Sequence, residues 1–215
     1  MSSDVHYPVA DADQVDAIDS VCRIYEASIP ASERKPVEAI RDMARRPDYR
    51  LLTAVSAGRV VGFAAVFAPP GESFALLEYL AVEPAVRGAG SGAGLFRAAV
   101  EAVGGGAAGG RWMLIEVDAD VSDDAADLHL RRRRQAFYRR LGCRRFAGLA
   151  YELPLRTAGR LPPPMHLFVH GGIALTRPEL GRALRVIYPQ VYGQPAGDPR
   201  IDRMLAAVSD PITFD

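Results

Sequence analysis

Between Leu76 and Val103 the chain reads LLEYLAVEPAVRGAGSGAGLFRAAVEAV, with glycines at Gly88, Gly90, Gly92 and Gly94. An apolar, strand-like run precedes them and a helix-like run follows. Such a turn exposes backbone N–H groups at a helix start, where phosphate oxygens bind well. Glycine lets the backbone approach a phosphate without a Cβ clash and permits unusual φ values. The amides of about Ala89 to Ala93 can converge on oxygen, and the helix adds the positive end of its dipole. Arg87 or Arg97 can add a charge-assisted contact. The plainer reading is a glycine-rich turn that only packs a helix tightly on a sheet.

Two familiar phosphate loops fit poorly. A Walker-type loop ends in Gly-Lys-Ser/Thr, and the chain has no lysine after Lys35. A dinucleotide fingerprint matches loosely at Gly88, Gly90 and Ala93, with Glu116 or Asp118 on the next strand. That fingerprint leaves its strand almost directly at the first glycine, whereas EPAVR intervenes here. Its strand also opens the fold, and here two helices and a hairpin come first.

The elements that must carry this turn follow from the apolar pattern. DVHYPVA reads as a first strand. Val15, Ile18, Cys22 and Tyr25 make one helix face, which Pro30 closes. A second helix fits Pro36 to Arg46, with Pro47 just beyond. RLLTAVSAG and RVVGFAAVFAPP are β-like runs joined at Ala57-Gly58, a hairpin. A strand over Phe74 to Val82 leads into the glycine turn and a helix from about Gly92 to Val103. GGGAAGG connects to a short apolar strand, RWMLIEVD. The basic helix LHLRRRRQAFYRRLG follows, ended by Gly142. CRRFAGLAYELPL reads as one or two strands around Gly148. Beyond Leu155 come the Pro-rich RTAGRLPPPM, the strand-like HLFVH, and two short helices, RPELGRALRVIYPQVYG and DPRIDRMLAAVSD, the second capped by Asp198. Leu180, Leu184 and Ile187 give the first of these an apolar side that must pack somewhere.

Composition narrows the class. The 215 residues suit one domain or one with an appendage. Hydrophobic residues make up 49%, enough for a core. The 26 basic and 26 acidic residues cancel, so no global field attracts nucleic acid or an anionic membrane. Neither a signal peptide nor a membrane-length run is expected, which points to a cytoplasmic protein. Cys22 and Cys143 read as small buried residues. His166 and His170 lack the partners of a zinc site, so no metal is expected.

The order β-α-α-β-β-β-turn-α-β-α-β-β, with VRGAGSG after the fourth strand, resembles the GNAT superfamily of acyl-CoA-dependent N-acetyltransferases. The family's Gln/Arg-x-x-Gly-x-Gly/Ala loop is matched by Arg87, Gly88, Ala89, Gly90, Ser91 and Gly92. RRQAFYRRLGCRRF resembles the family's Phe-Tyr-x-x-Leu-Gly-Phe helix end, with Cys143 where Phe is usual. The resemblance covers roughly Val5 to Leu153. It implies an α/β (α+β) fold, a mixed, mostly antiparallel twisted sheet with flanking helices. Residues 1–155 would form the acyltransferase domain. Residues 156–215 would be a strand and helical extension, packed on the core or at a dimer contact.

The implied activity is N-acyl transfer from a pantetheine thioester to a primary amine, by direct attack in a ternary complex. Acetyl-CoA or another acyl-CoA is the default donor. A phosphopantetheine arm on an acidic acyl carrier protein, as in biosynthesis, is the alternative. An acyl-CoA sensor without turnover is a further one. The loop from Arg87 to Gly92 would hold the diphosphate, and pantetheine would pair along the strand near Leu80 and Val82, like an added strand. A backbone N–H near Val82 would polarise the carbonyl.

Glu78 is the candidate base. Alternation puts it on one face with Leu76, Leu80 and Val82, and a carboxylate in an apolar strand needs a reason. Partial desolvation makes a glutamate a better proton acceptor near neutrality. Its plainer reading is an ion pair with a nearby arginine. Glu116 could share the amine or relay a proton, or else form a surface pair. Tyr138 has the family place of the acid that protonates the thiolate; alternatively Phe137 and Tyr138 are a core pair. The arginines Arg131–Arg134, Arg139, Arg140, Arg144 and Arg145 read as a solvated face or as contact with an acidic donor. Tyr188 and Tyr192 read as packing. The amine, the acyl group and the choice of monomer or homodimer stay open.

Overall fold

The computed structural model describes residues 5–105, 110–154, 164–172 and 174–215. Its chain divides into two compact units, Met1–Arg111 and Trp112–Asp215. The fold is mixed α/β, and the strand pairings within each unit are antiparallel.

The first unit orders its strands β1 (Val5–His6), β2 (Tyr49–Ser56), β3 (Arg59–Phe67) and β4 (Phe74–Val82). Around them lie α1 (Val15–Ser28), α2 (Val37–Met43) and α3 (Ser91–Ala102). The β2–β3 hairpin turns at Ala57 and Gly58, with φ of 49° and 74°. Two consecutive positive φ values are what a two-residue turn needs to match strand twist. The α1 face differs from its expected composition. Ile18, Val21, Cys22, Ile24 and Tyr25 are buried, whereas Val15 in the first turn is exposed.

One irregularity re-aims a candidate site residue of this sheet. Along β4, Tyr79 pairs with Ala65 and Leu77 with Val66, so Glu78 is the extra residue of a β-bulge. A bulge re-aims a side chain and interrupts the period-2 count. The single face expected for Leu76, Glu78, Leu80 and Val82 therefore does not run through. The adjacent Glu78 and Tyr79 both reach the segment 33–35, which strict alternation would forbid.

The second unit orders its strands β5 (Trp112–Asp118), β7 (Met165–His170) and β6 (Arg144–Arg145). Here β7 pairs on both sides, Glu116 opposite Leu167 and Arg144 opposite Val169. The helices are α4 (Ala125–Arg140), α5 (Arg177–Tyr192) and α6 (Pro199–Leu205). The boundary expected at Leu155 falls inside this unit, and β7 supplies its middle strand from beyond that point. CRRFAGLAYELPL contributes only the short β6 and a bridge at Phe146; residues 147–154 are irregular. The linker expected at 156–165 lies outside the described residues except for its last two.

The terminal helices are well specified. Thr176 and Glu179 form a reciprocal capping box on α5. Leu180, Leu184 and Ile187 are buried, so the apolar side of α5 is covered within its own chain. Asp198 caps α6 through the Arg200 backbone N–H and pairs with the Arg200 guanidinium at 2.6 Å. These contacts, the guanidinium foremost, hold its carboxyl down at about 2. A depressed carboxylate stabilises the fold above its ordinary value near 3.8 and loses that contribution as pH falls through about 2. Asp198→Ala should cost about 0.5–2 kcal/mol near neutrality. Its melting temperature should also fall less steeply than the parent's between those two pH values. Melting curves recorded across that range check both.

Candidate functional site

The glycine turn is built in the first unit. β4 ends at Val82, and Pro84–Val86 then makes one 3-10 turn before the glycines. Glu83 anchors this corner through Arg23 at 2.8 Å and Arg59 at 3.1 Å. Arg87 folds back, its Nε donating to the Val82 carbonyl at 3.1 Å. Gly88 and Gly90 take φ of +85° and +87°, and no atom lies within 4 Å of where a Cβ would stand on either. Their backbone twist requires glycine, and the space above them is open to an approaching group.

Gly90 is also the N-cap of α3, with no side-chain cap. The Gly94 N–H makes the bond back to the Gly90 carbonyl at 2.9 Å. The N–H groups of Ser91, Gly92 and Ala93 come before it and have no intrahelical partner. The donors expected of a phosphate cradle are thus at a helix N-terminus with room above it. Gly94 differs from its neighbours: a Cβ there would stand 2.0 Å from the Tyr7 Oη, so it admits close packing. The 3-10 turn between β4 and Gly88 also separates this geometry from a dinucleotide turn.

Glu78 is nearly sealed, with 2% of its side chain exposed. Its Oε2 accepts from the Tyr49 hydroxyl at 2.7 Å. Its Oε1 lies 2.5 Å from the Lys35 ammonium, as an ion pair rather than a well-directed hydrogen bond. Burial, then the Glu78 charge, push the Tyr49 phenol far above its usual range, so it stays a donor. Two further phenols fix the Lys35 segment. The Tyr25 hydroxyl accepts from the Lys35 N–H at 2.6 Å, and the Tyr79 hydroxyl donates to the Glu33 carbonyl at 3.4 Å. Glu78 thus sits in an ion pair, as the plainer reading had it, with Lys35 as its direct partner and Arg46 close enough to feel its charge. Sequence reasoning missed both Lys35 and Tyr49. The available signal was that Lys35 is the chain's only lysine.

In the second unit, Glu116 sits on β5 and accepts from the hydroxyls of Tyr151 and Tyr192. Burial and the Glu116 charge raise the Tyr151 phenol well above its ordinary range. Tyr192 thus has a polar role where packing was expected, while Tyr188 is buried and donates to the Glu152 carbonyl at 2.7 Å. Tyr138 lies on α4, buried, with its ring edge-on to Phe137 at 5.0 Å between centroids. Burial raises its phenol pKa. Tyr138 is the more buried of the two, so Phe137 does not take the inward place alone.

The arginine cluster splits. Arg131 pairs with Asp127, Arg134 with the buried Asp118 and Arg145 with Asp215. Arg139 stacks over Phe168 and Arg144 over Phe214. Arg132, Arg133 and Arg140 are exposed along α4. Both cysteines are buried thiols. His166 lies 3.3 Å from Asp120. Among the described residues no group of three or more His, Cys, Asp or Glu could hold a metal ion. No helix among them is long and apolar enough to cross a membrane.

Comparison with known proteins bears on the family and the fold. The acetyltransferase (GNAT) family matches residues 18–143. A GNAT-family chain from Bacteroides thetaiotaomicron is 21% identical, with a TM-score of 0.71 over 87% of this chain and 98% of that one. An aminoglycoside 6'-N-acetyltransferase complexed with coenzyme A is 19% identical, at TM-score 0.58 over 77% and 96%. The ribosomal-protein-S18-alanine N-acetyltransferase from Escherichia coli is 16% identical, at TM-score 0.53 over 79% and 98%. At these identities the structures support the fold alone. No curated protein sequence matches the chain. The family match spans more than half of the chain and includes both the Arg87–Gly92 loop and the Tyr138 helix, so this chain belongs to the GNAT family and is an acyltransferase.

Proposed function

We propose that the protein transfers an acyl group, acetyl by default, from coenzyme A to a primary amine by direct attack. The observation that carries this reading is the Gly88–Ala93 turn. It offers left-handed glycines, open space and helix-start amides where a diphosphate can sit. Acyl-coenzyme A would supply the thioester, and the chain's residues do the rest. The amides from Ala89 to Ala93 bind diphosphate oxygens, and Arg87 braces the loop against Val82. The backbone along Leu80 to Val82 orients pantetheine, with an N–H near Val82 directed at the carbonyl oxygen. Fixed backbone donors of this kind are worth several kcal/mol to a developing oxyanion. Glu78 takes the proton that the amine must lose. Tyr138 returns a proton to sulfur, a role that rests on the family resemblance. Glu116, already held by two phenols, serves as a relay rather than a first acceptor.

An acyl carrier protein as donor is a second reading. The exposed Arg132, Arg133 and Arg140 favour it, since they give α4 a cationic face.

Titration calorimetry with coenzyme A, paired with thiol release over an amine panel, tests the proposal. Binding with release supports it. Binding without release makes the protein a sensor, and no binding to coenzyme A or to a pantetheinylated carrier overturns it. Gly90→Ala sharpens the test. Holding a left-handed alanine costs about 1–2 kcal/mol, so affinity should fall roughly 5–30-fold. The added methyl meets no neighbour, so the loss reports loop conformation and not packing. A change under twofold would remove the loop from donor binding.

A further inference from the structure

We propose that Lys35 is an acyl-acceptor site of the protein itself: the chain modifies its one lysine, using Glu78 as the proton acceptor. The inference rests on the acyl-transfer reading above and goes beyond it by naming an acceptor. Four observations carry it. Lys35 is the only lysine in the chain. Its Nζ stands 2.5 Å from Glu78 Oε1, so the proposed base already holds a primary amine. Both groups are shielded, with 13% of the Lys35 side chain and 2% of the Glu78 side chain exposed. Finally, Glu78 is the bulged residue of β4, the strand that carries the proposed donor path.

The phenols explain why the lysine stays there. Tyr25 and Tyr79 hold the backbone of residues 33–35, and Tyr49 holds the other carboxylate oxygen. An amine fixed beside its base loses little orientational freedom on reacting, which is the usual origin of high effective molarity. A free acceptor would have to displace it.

The step balances without an added redox partner. A proton passes from Lys35 Nζ to Glu78. The Nζ lone pair then attacks the thioester carbonyl of acyl-CoA. The C–N bond forms, the C–S bond breaks, and the thiolate leaves as the thiol on taking up a proton. The product is a neutral amide on Lys35, and one proton is released overall. The acylated side chain no longer pairs with Glu78 as a cation.

Intact-mass measurement and peptide mapping after incubation with acetyl-CoA test this. The expected result is a gain of one acetyl group per chain, mapped to the Lys35 peptide, with one equivalent of free thiol. Lys35→Arg keeps a cation for Glu78 but removes the acceptor amine, and should show no gain. Glu78→Gln should slow modification at least tenfold while still binding coenzyme A. A denatured chain under the same conditions reports adventitious chemistry. Equal modification of native and denatured chains overturns the proposal. So does an unmodified Lys35 in protein that binds coenzyme A and turns over an added amine; there the acyl-transfer reading survives and only this inference fails. Absence of coenzyme A binding would remove both.

Discussion

Replacing Glu78 with glutamine is expected to slow amine acylation roughly 10²–10⁴-fold, the range for loss of a sole general base. The variant also disturbs the fold, and the two effects must be separated. Glutamine can still accept from Tyr49, but it removes the negative charge opposite the Lys35 ammonium in a shielded place. Breaking a buried pair costs about 3–5 kcal/mol. The lower end applies here, because 13% of the Lys35 side chain still meets solvent. The double variant Lys35→Met with Glu78→Gln removes both charges and should recover much of the melting temperature. It should recover none of the turnover. Measuring kcat and melting temperature on the four members of this cycle apportions the loss. If the double variant regains activity together with stability, Glu78 is a structural pair member. A rate change under threefold in the single variant would also end the base assignment.

Tyr138→Phe is expected to lower kcat by roughly 10²-fold or more, within the span of a lost general acid. Coenzyme A affinity should stay within about twofold. The change conserves volume, so packing beside Phe137 is nearly kept, and a cost below about 1.5 kcal/mol is expected. Burial keeps this phenol protonated at neutral pH, as an acid waiting for a thiolate requires. Steady-state kinetics with calorimetry on the same preparation separate the two quantities. Equal losses in kcat and affinity would show that the hydroxyl serves binding or packing. A donor whose leaving group is already acidic, such as an activated thioester, should partly rescue the variant, since it depends less on protonation.

Local chemistry made several elements legible in the chain alone. Ala57-Gly58 between two β runs specifies a hairpin, because such a turn depends on the φ of two adjacent residues. Asp198-Pro199 specifies a helix start for the same reason: the cap reaches only two residues ahead. The Arg87–Gly92 loop is also local, since its donors are consecutive amides and its glycines are needed one by one for their φ.

The surroundings of the candidate acids and bases were not legible in this way. Glu78 meets Tyr49, 29 residues earlier, and Glu116 meets Tyr192, 76 residues later. No periodicity links such positions. The bulge at Glu78 depends on the register of β3 against β4, and an extra residue in one strand is invisible when that strand is read alone. The same holds for β7, whose place between β5 and β6 depends on pairing partners on both sides. The sequence by itself determined the family, the glycine turn and the residue types able to move protons. Only the tertiary structure decided which of those residues face one another, because strand register and chain return bring together groups that the linear order keeps apart.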